Sequence, residues 1–398
     1  MKLLLVTNLF PTPVDPERGI FTLQLAKSLS KICDITVVCP LPYFPALKIF
    51  KRFKKYYGFS QVPYQYTLDN ITVYSPKYPL IPKLSESKHA YLMSIALNRC
   101  INSLNKKNCY DIINSQWLYP DSCAVDIAIE NIDLPHVATG LGCDINHDLY
   151  EAGKKEKITR MLNNANAITV VSNGLKNELI EVGFNNTKIT VIANGVDIKK
   201  FSPLSENDCR ESLDLEKNTP IILYVGRLSL EKCVSSLIKS AARLIKQDYS
   251  FNLYIVGDGP LRNELESLTE KLNIKQQVHF IGNVEHDEII NWMGACNYFC
   301  LPSLREGCPN VVLEALSCGR PVIASKVGAI PDVVSDSSGI LFSPDDIDSI
   351  CDAFKSAFDR QWDEKRIAES VKKLSWDHAA KKYIDIFNFV LSSQSNSL

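Results

Sequence analysis

Three loops in the second half of the chain combine cations, glycines and carboxylates, and each follows an apolar run of strand length. The first loop is Val225-Gly226-Arg227, with Glu231-Lys232 close behind. A guanidinium fork and an ammonium point charge together match the oxygens of a diphosphate. Taken alone, the loop is more typical of an ordinary surface Glu/Lys pair at the start of a helix.

The second loop, Gly257-Asp258-Gly259-Pro260, follows the apolar run 251–256. It contains half of a dinucleotide-binding fingerprint but lacks the third glycine. The same four residues also suit a plain turn with proline at the first position of a helix. On its own this loop is therefore a weak indication of a binding site, and it supports one only together with the neighbouring loops.

The third loop runs from Pro302 to Pro309, between a strand that ends at Leu301 and a helix that begins near Asn310. The free N–H groups and positive dipole end of that helix form an anion site. Glu314 lies one turn in, on a helix that is apolar nearly all round, so its carboxylate needs a partner. A sugar hydroxyl would serve, and so would a neighbouring arginine or backbone N–H.

Strand-like and helical segments alternate along the whole chain, which predicts parallel sheets with crossover helices. We expect strands at 2–7, 35–39, 71–74, 111–114, 136–138, 167–171 and 188–192, and then at 221–225, 251–256, 278–281, 298–301 and 321–324. A turn-rich stretch near 193–218 separates the two series. The fold class is therefore α/β, with Rossmann-like domains at 1–195 and 196–375 facing a central cleft and a C-terminal helical segment at 376–398. Ligands of such sheets bind beyond the carboxyl ends of the strands.

Composition is that of a globular protein without a nucleic-acid partner. The 398 residues are 45% hydrophobic and 22% charged, with a net charge of −1. Thirteen cysteines occur without a CxxC pair, which predicts reduced thiols in a reducing compartment. The start of the chain reads as a strand rather than a signal peptide, and no run reaches the roughly 18 apolar residues of a spanning helix. We expect a cytoplasmic protein.

The first 200 residues contain 23 Lys and Arg against 17 Asp and Glu, and the remainder contain 21 against 28. Residues 48–57 add a basic amphipathic pattern, in which apolar and basic side chains fall on opposite faces of a helix. This pattern predicts contact with an anionic membrane, on the inner face of the plasma membrane. Packing of the apolar face against the domain is the alternative.

Glu306 and Glu314 form an E-x7-E pair that resembles the motif of retaining glycosyltransferase family 4, which has the GT-B fold. The resemblance extends to other segments of the second half: Gly226-Arg227 with Glu231-Lys232, 257–260, 319–324, 328–332, and 194–197 with Phe201. It covers essentially the whole chain and is strongest from about residue 190 to 345.

The resemblance implies a nucleoside-diphosphate sugar as donor substrate. Arg227 and Lys232 would hold the diphosphate, Glu306 would contact the transferred sugar, and Glu314 would contact the ribose. The remaining donor-binding positions are Gly19, Gly226, Gly257, Asp258, Gly282, Gly307, Cys308, Pro309, Asn310 and Val311. No metal or other cofactor is expected, and Asp346-Ile347-Asp348 reads as the first turn of a helix.

In the acceptor half, the positions that often carry histidine in the family hold Asn114, Gln116 and Leu141 or Gly140. Asp144 remains as the charged residue to orient the acceptor hydroxyl, so the predicted catalytic set is Glu306, Arg227, Lys232 and Asp144. The predicted reaction is retaining sugar transfer to a saccharide acceptor, lipid-linked in one version, in cell-surface polysaccharide biosynthesis. A non-catalytic sugar-nucleotide-binding subunit and a GT-B epimerase or phosphorylase are the alternatives.

Overall fold

The computed structural model describes residues 1–43, 58–80 and 85–395. The chain divides into two compact units, one formed by Met1–Ala193 together with the segment from Trp376, and the other by Asn194–Ser375. This division lies two residues before the predicted boundary at 195/196. The predicted membrane-contact segment 48–57 lies outside the described residues.

The first unit contains an eight-stranded sheet with the order β10-β9-β8-β7-β1-β2-β5-β4, in which only the pairing of β4 with β5 is antiparallel. A separate parallel pair joins β3 and β6. The elements are β1 (Lys2–Val6), α1 (Ile20–Leu29), β2 (Asp34–Val38), β3 (Leu41–Tyr43), β4 (Gln65–Leu68), β5 (Ile71–Tyr74), β6 (Lys77–Pro79), α2 (His89–Asn108), β7 (Ile112–Gln116), α3 (Cys123–Ala128), β8 (His136–Gly140), α4 (Cys143–Asn146), α5 (Ala152–Asn164), β9 (Ala167–Val170), α6 (Asn173–Glu181) and β10 (Ile189–Val191).

The second unit contains a six-stranded, wholly parallel sheet with the order β13-β12-β11-β14-β15-β16. Its elements are α7 (Glu206–Ser212), β11 (Ile221–Val225), α8 (Val234–Ile245), β12 (Asn252–Val256), α9 (Arg262–Lys271), β13 (Val278–Gly282), α10 (Ile289–Ala295), β14 (Tyr298–Leu301), α11 (Asn310–Ser317), β15 (Val322–Ser325), α12 (Ile330–Val333), β16 (Gly339–Phe342), α13 (Ile347–Phe358) and α14 (Glu364–Ser370). This is the doubly wound order of dinucleotide-binding sheets, and it reverses between β11 and β14.

The C-terminal helix α15 (Trp376–Ser395) belongs to the first unit. Its residues Trp376, Ala380, Tyr383 and Phe387 recur at spacings of three and four and are buried against the core that also contains α1. The predicted helical segment therefore packs on the first unit. None of the helices in the described ranges combines the length and apolar character needed to cross a bilayer.

The prediction of two Rossmann-like sheets is confirmed, and the departures are local. Strands β3, β4, β6 and β16 were not predicted, because they are only three or four residues long and two of them contain proline. Helix α8 begins at Val234 rather than at Glu231, because Cys233 takes a left-handed conformation with φ 50° after a 3-10 turn. Helix α9 begins at Arg262, so Pro260 is not its first residue.

Candidate active site

The candidate site lies where the strand order of the second sheet reverses, at the carboxyl ends of β11 and β14. Helices leave the sheet on opposite faces at such a point, so the two loops diverge and leave room for a ligand. The loop after β11 contains Arg227 and Lys232, and the loop after β14 contains Ser303 and Glu306. The backbone joins them directly, since the Leu304 N–H donates to the Glu231 carbonyl over 2.8 Å.

Backbone hydrogen bonds also hold the neighbouring loops in place. The Gly226 N–H donates to the Val256 carbonyl over 2.9 Å, and the Gly257 N–H donates to the Gly282 carbonyl over 2.7 Å. Gly257 has φ +123°, and a Cβ built on it would lie 2.0 Å from the Gly226 carbonyl oxygen. The three loops after β11, β12 and β13 therefore pack at a distance that only glycine permits at this position.

Lys232 and Glu306 are paired with each other. Lys232 Nζ lies 2.6 Å from Glu306 Oε1, and the Ser303 hydroxyl donates to the same oxygen over 2.6 Å. The prediction gave these two side chains separate ligands, a diphosphate and a sugar, and the structure adds that they also contact each other. Lys232 has three N–H donors, and two of them find no acceptor among the described residues.

Arg227 is exposed and forms no ion pair with any carboxylate in the described part of the chain. A hydrogen bond from Ser229, followed by the charges of Lys232 and Arg227, lowers the pKa of Glu231. The loop therefore presents two cations, and its own acidic residue is held ionised by the Ser229 hydroxyl.

Glu314 is nine-tenths buried on α11, as the apolar pattern of that helix predicts. Its partner is neither an arginine nor a backbone N–H: Glu314 Oε1 lies 3.1 Å from His286 Nε2, on the loop after β13. The second oxygen, Oε2, has no hydrogen-bond partner in the structure. A buried acceptor without a partner is rare and marks a place where a ligand group fits.

Helix α11 begins directly after the loop that contains Ser303 and Glu306. Pro309 occupies the N-cap and offers no side-chain acceptor to the first N–H groups. Asn194 donates to the Asn310 side-chain oxygen over 2.9 Å and to the Cys308 carbonyl over 3.3 Å. Burial raises the pKa of the Cys308 thiol to about 12, so this cysteine stays protonated and is no nucleophile.

The other predicted donor positions lie on the same loops. Gly307 accepts the Ala329 N–H over 2.8 Å, and a Cβ on Gly328 would lie 2.4 Å from the Glu306 carbonyl oxygen. Val311 lies in the first turn of α11, and Gly282 ends β13. Asp258 is exposed and accepts the Gly259 N–H over 2.7 Å. Asp346 caps α13 through the Ser349 N–H, as its reading as a helix start predicts.

The prediction for Asp144 needs correction. This carboxylate is fully buried, and its two oxygens accept the backbone N–H groups of Leu118, Leu141 and Gly142 over 2.7 to 3.2 Å. Burial raises the pKa of Asp144. The side chain fixes the loops after β7 and β8, and both of its oxygens are occupied by the protein itself. It therefore has no free oxygen to orient an acceptor hydroxyl.

A second polar cluster, which was not predicted, lies at the switch point of the first sheet between β1 and β7. Asp121 accepts the backbone N–H of Asn8 and, over 2.6 Å, its side-chain amide. Arg18 donates to the Asn8 carbonyl over 2.6 Å. Burial raises the pKa of Asp121 to about 8. Gly19, a predicted position, begins α1 with φ +64°, and a Cβ there would lie 2.1 Å from the Leu9 carbonyl oxygen.

These partners were missed because no local pattern marks them. Asp121 and Asn8 are 113 positions apart, and His286 and Glu314 are 28 apart. Only the strand order brings them together. The position of Asn8, two residues after the end of β1, was an available signal.

Glycine-lined loops, two cations and a buried carboxylate at the switch point of a doubly wound sheet define a site of the nucleotide-binding class. Comparison with known families is more specific. Residues 205–374 match the model of the glycosyl transferases group 1, and residues 19–200 match that of glycosyltransferase family 4. The two models together span most of the chain, which therefore belongs to the glycosyltransferases that combine these two domains and is a glycosyltransferase.

Individual relatives agree. The chain is 29% identical over 360 residues to TuaC of Bacillus subtilis, a glycosyltransferase named for teichuronic acid biosynthesis, and the match covers 89% of this chain and 88% of TuaC. Sucrose-phosphate synthase from Thermosynechococcus elongatus superposes with a TM-score of 0.80 at 19% identity, over 99% of this chain and 100% of that one. HepE of Anabaena, solved with UDP and glucose, superposes with a TM-score of 0.70 at 19% identity, over the full length of both chains. These two structures support the GT-B fold.

Proposed function

We propose that this glycosyltransferase moves a sugar from a nucleoside-diphosphate sugar to a saccharide acceptor with retention of anomeric configuration. The observation that carries the proposal is the arrangement at the second switch point. Lys232 contacts Glu306 on the loop that leads into α11, and Arg227 is a second, exposed cation on the same loop as Lys232. Retention rests on the resemblance of the Glu306–Glu314 pair to the family motif.

Charge stabilisation is the chemical role that these residues suit. When the glycosidic bond to the donor breaks, negative charge develops on the departing diphosphate. The exposed Arg227 guanidinium can bind phosphate oxygens through two parallel N–H groups. Lys232 keeps two N–H donors for phosphate while its third holds Glu306. The first N–H groups of α11, which follows the loop that contains Glu306, add a positive dipole end.

Glu306 and Glu314 are proposed to bind hydroxyl groups of the donor through their carboxylate oxygens. Glu306 is held by Lys232 and Ser303 over 2.6 Å each, so its orientation is set before a sugar arrives. Glu314 contributes its unpartnered Oε2. Carboxylate oxygens accept hydrogen bonds from sugar hydroxyls, which is the contact that both side chains are proposed to make.

We propose that transfer needs no metal ion, because side-chain cations occupy the place where a metal would neutralise the diphosphate. One group of three close metal-ligand types occurs in the described residues, namely His147, Asp148 and Glu151 in the first unit. Lys154 Nζ already lies 2.8 Å from both carboxylates of that group. Excess EDTA is expected to leave the transfer rate unchanged.

The acceptor is proposed to be a growing cell-surface polysaccharide, lipid-linked and reached from the cytoplasmic face of the membrane. The name of TuaC supports this choice, as does the excess of basic residues in the first half of the chain. Binding to anionic vesicles but not to neutral ones is the expected result of co-sedimentation. Equal binding to both kinds would remove the membrane from the proposal.

A thermal-shift screen with UDP, GDP, ADP and CDP and their sugars tests the donor class. A ligand at 100 times its Kd stabilises the protein by about 2.7 kcal/mol, which is a clear shift in Tm. One nucleoside diphosphate is expected to dominate. Nuclear magnetic resonance of the product, made from the matching sugar donor, then reports the anomeric configuration. A flat screen would contradict the proposal, and an inverted product would contradict retention.

A further inference from the structure

Lys200, His286 and Glu314 contact one another in sequence, and we call this set of contacts the relay. It ends at the unpartnered carboxylate oxygen of Glu314. Lys200 Nζ lies 2.9 Å from His286 Nδ1, and His286 Nε2 lies 3.1 Å from Glu314 Oε1. Lys200 follows the Asn194-Gly195-Val196-Asp197 turn, His286 lies after β13, and Glu314 lies on α11. All three belong to the second unit.

The hydrogen-bond donors and acceptors of these three side chains have only one consistent arrangement. The Lys200 ammonium has three N–H groups and no acceptor. Its three partners are His286 Nδ1, the His286 carbonyl at 3.2 Å and Asp287 Oδ1 at 2.6 Å. Nδ1 therefore accepts, Nε2 bears the proton, and the imidazole donates to Glu314 Oε1. This fixes both the tautomer of His286 and the rotation of the Glu314 carboxylate.

The same short segment braces α11 at both ends. Asn194 bonds to Asn310 at the start of the helix, and the Ser317 hydroxyl at its end donates to the Phe201 carbonyl over 2.6 Å. The Phe201 ring packs edge-on against His286, with centroids 5.6 Å apart. Residues 194–201 thus hold the helix that presents Glu314 as well as the histidine that orients it.

We propose that Lys200 and His286 are positioning residues that aim Glu314 Oε2 at a ribose hydroxyl of the donor nucleotide. The inference rests on the proposed function, because it deepens the donor site described above. Oε1 is bound by His286, and Oε2 is the oxygen that is buried without a partner. The relay therefore makes the site selective for ribonucleotides over analogues that lack both ribose hydroxyls.

Isothermal titration calorimetry with UDP, GDP, ADP and CDP, and with the 2′,3′-dideoxy counterpart of whichever binds, tests the relay. Wild type is expected to favour the ribonucleotide by about ten- to a hundredfold, the range of a hydrogen bond to a charged group. His286→Ala should lower ribonucleotide affinity by about tenfold and leave dideoxy affinity unchanged. His286→Gln should keep most of the preference, because its amide also donates at one end and accepts at the other.

Two further variants separate positioning from general loosening. Lys200→Met removes the donor that fixes the tautomer, and it should reduce the preference while leaving dideoxy affinity intact. His279→Ala is the matched control, because His279 stacks on Tyr254 at 4.6 Å in the same unit without contacting Glu314. It should leave the preference unchanged.

The outcomes distinguish this inference from the proposed function. If no nucleoside diphosphate binds wild type, the proposed function fails and the relay fails with it. If one binds and His286→Ala or Lys200→Met keeps the ribose preference, the relay is refuted while the proposed function stands. Equal losses for the ribo and dideoxy ligands would also refute it, because they indicate a merely structural role.

Discussion

Lys232→Met removes the ammonium at the centre of the candidate site while keeping an unbranched side chain of similar length. In the folded protein the lysine side chain is 23% exposed and its partner Glu306 only 9% exposed, with 2.6 Å between Nζ and Oε1. The substitution therefore leaves a nearly buried carboxylate with the Ser303 hydroxyl but without its cation. It also removes one of the two cations proposed for the diphosphate.

The effect on stability follows from this burial. Breaking a fully buried ion pair by removing one partner costs about 3–5 kcal/mol, whereas an exposed pair contributes about 0–1 kcal/mol. The pair is intermediate, so we expect the free energy of unfolding to fall by about 1–3 kcal/mol. The double variant Lys232→Met with Glu306→Gln should recover part of this loss, since the side chain that loses the ammonium is then neutral.

The effect on catalysis should be larger and of a different kind. Loss of one preorganised donor to developing charge lowers kcat by about 100- to 1,000-fold, or roughly 2.7–4 kcal/mol. Release of nucleoside diphosphate from the sugar donor found in the screen measures kcat, and urea unfolding measures stability. A kcat within threefold of wild type would refute the placement of the diphosphate at Lys232. A double-mutant cycle with no coupling would refute the ion pair.

Two predictions concern the supporting structure. Burial lowers the pKa of His136 from 6.5 to about 4. Between these pH values the unfolded chain binds more protons than the folded protein does. The free energy of unfolding should therefore fall by up to roughly 3 kcal/mol as the pH drops from 6.5 to 4. His136→Gln should flatten this dependence in urea titrations, and an equally steep slope would contradict the assignment. Gly257→Ala should lower stability and abolish nucleotide binding because of the clash with Gly226. Gly153→Ala, where a Cβ on helix α5 meets nothing within 4 Å, should leave stability unchanged or raise it by up to about 1 kcal/mol. A loss of stability similar to that of Gly257→Ala would contradict the packing argument.

The positions of the candidate site could be predicted from sequence because they depend on local order. Apolar runs such as 221–225 and 298–301 mark buried parallel strands, and the residues directly after them must share one edge of the sheet. This reasoning places Arg227, Lys232 and Glu306 on neighbouring loops. The burial of helix α11 was also predicted, since the helix is apolar nearly all round.

Pairings between distant segments could not be predicted in the same way. Asp144 looked available as a charged residue near a strand end, yet backbone N–H groups of two loops saturate it. Cys233 has a left-handed conformation, and helix α8 therefore begins after it, at Val234. Cysteine has no particular preference for that conformation, so the sequence does not mark it. His286 meets Glu314 only because β13 and β14 lie in the same sheet. Such contacts depend on tertiary structure and leave no periodic trace.

Hydrogen exchange measured by mass spectrometry, with and without a saturating nucleoside diphosphate, tests the location of the donor site most directly. We expect slower exchange at 226–232, 257–259, 282–286 and 303–314, where backbone N–H groups and side-chain cations are proposed to hold the ligand. The sheet of the first unit serves as the internal reference. Protection confined to the first unit, with the loops after β11 and β14 unchanged, would contradict the central claim.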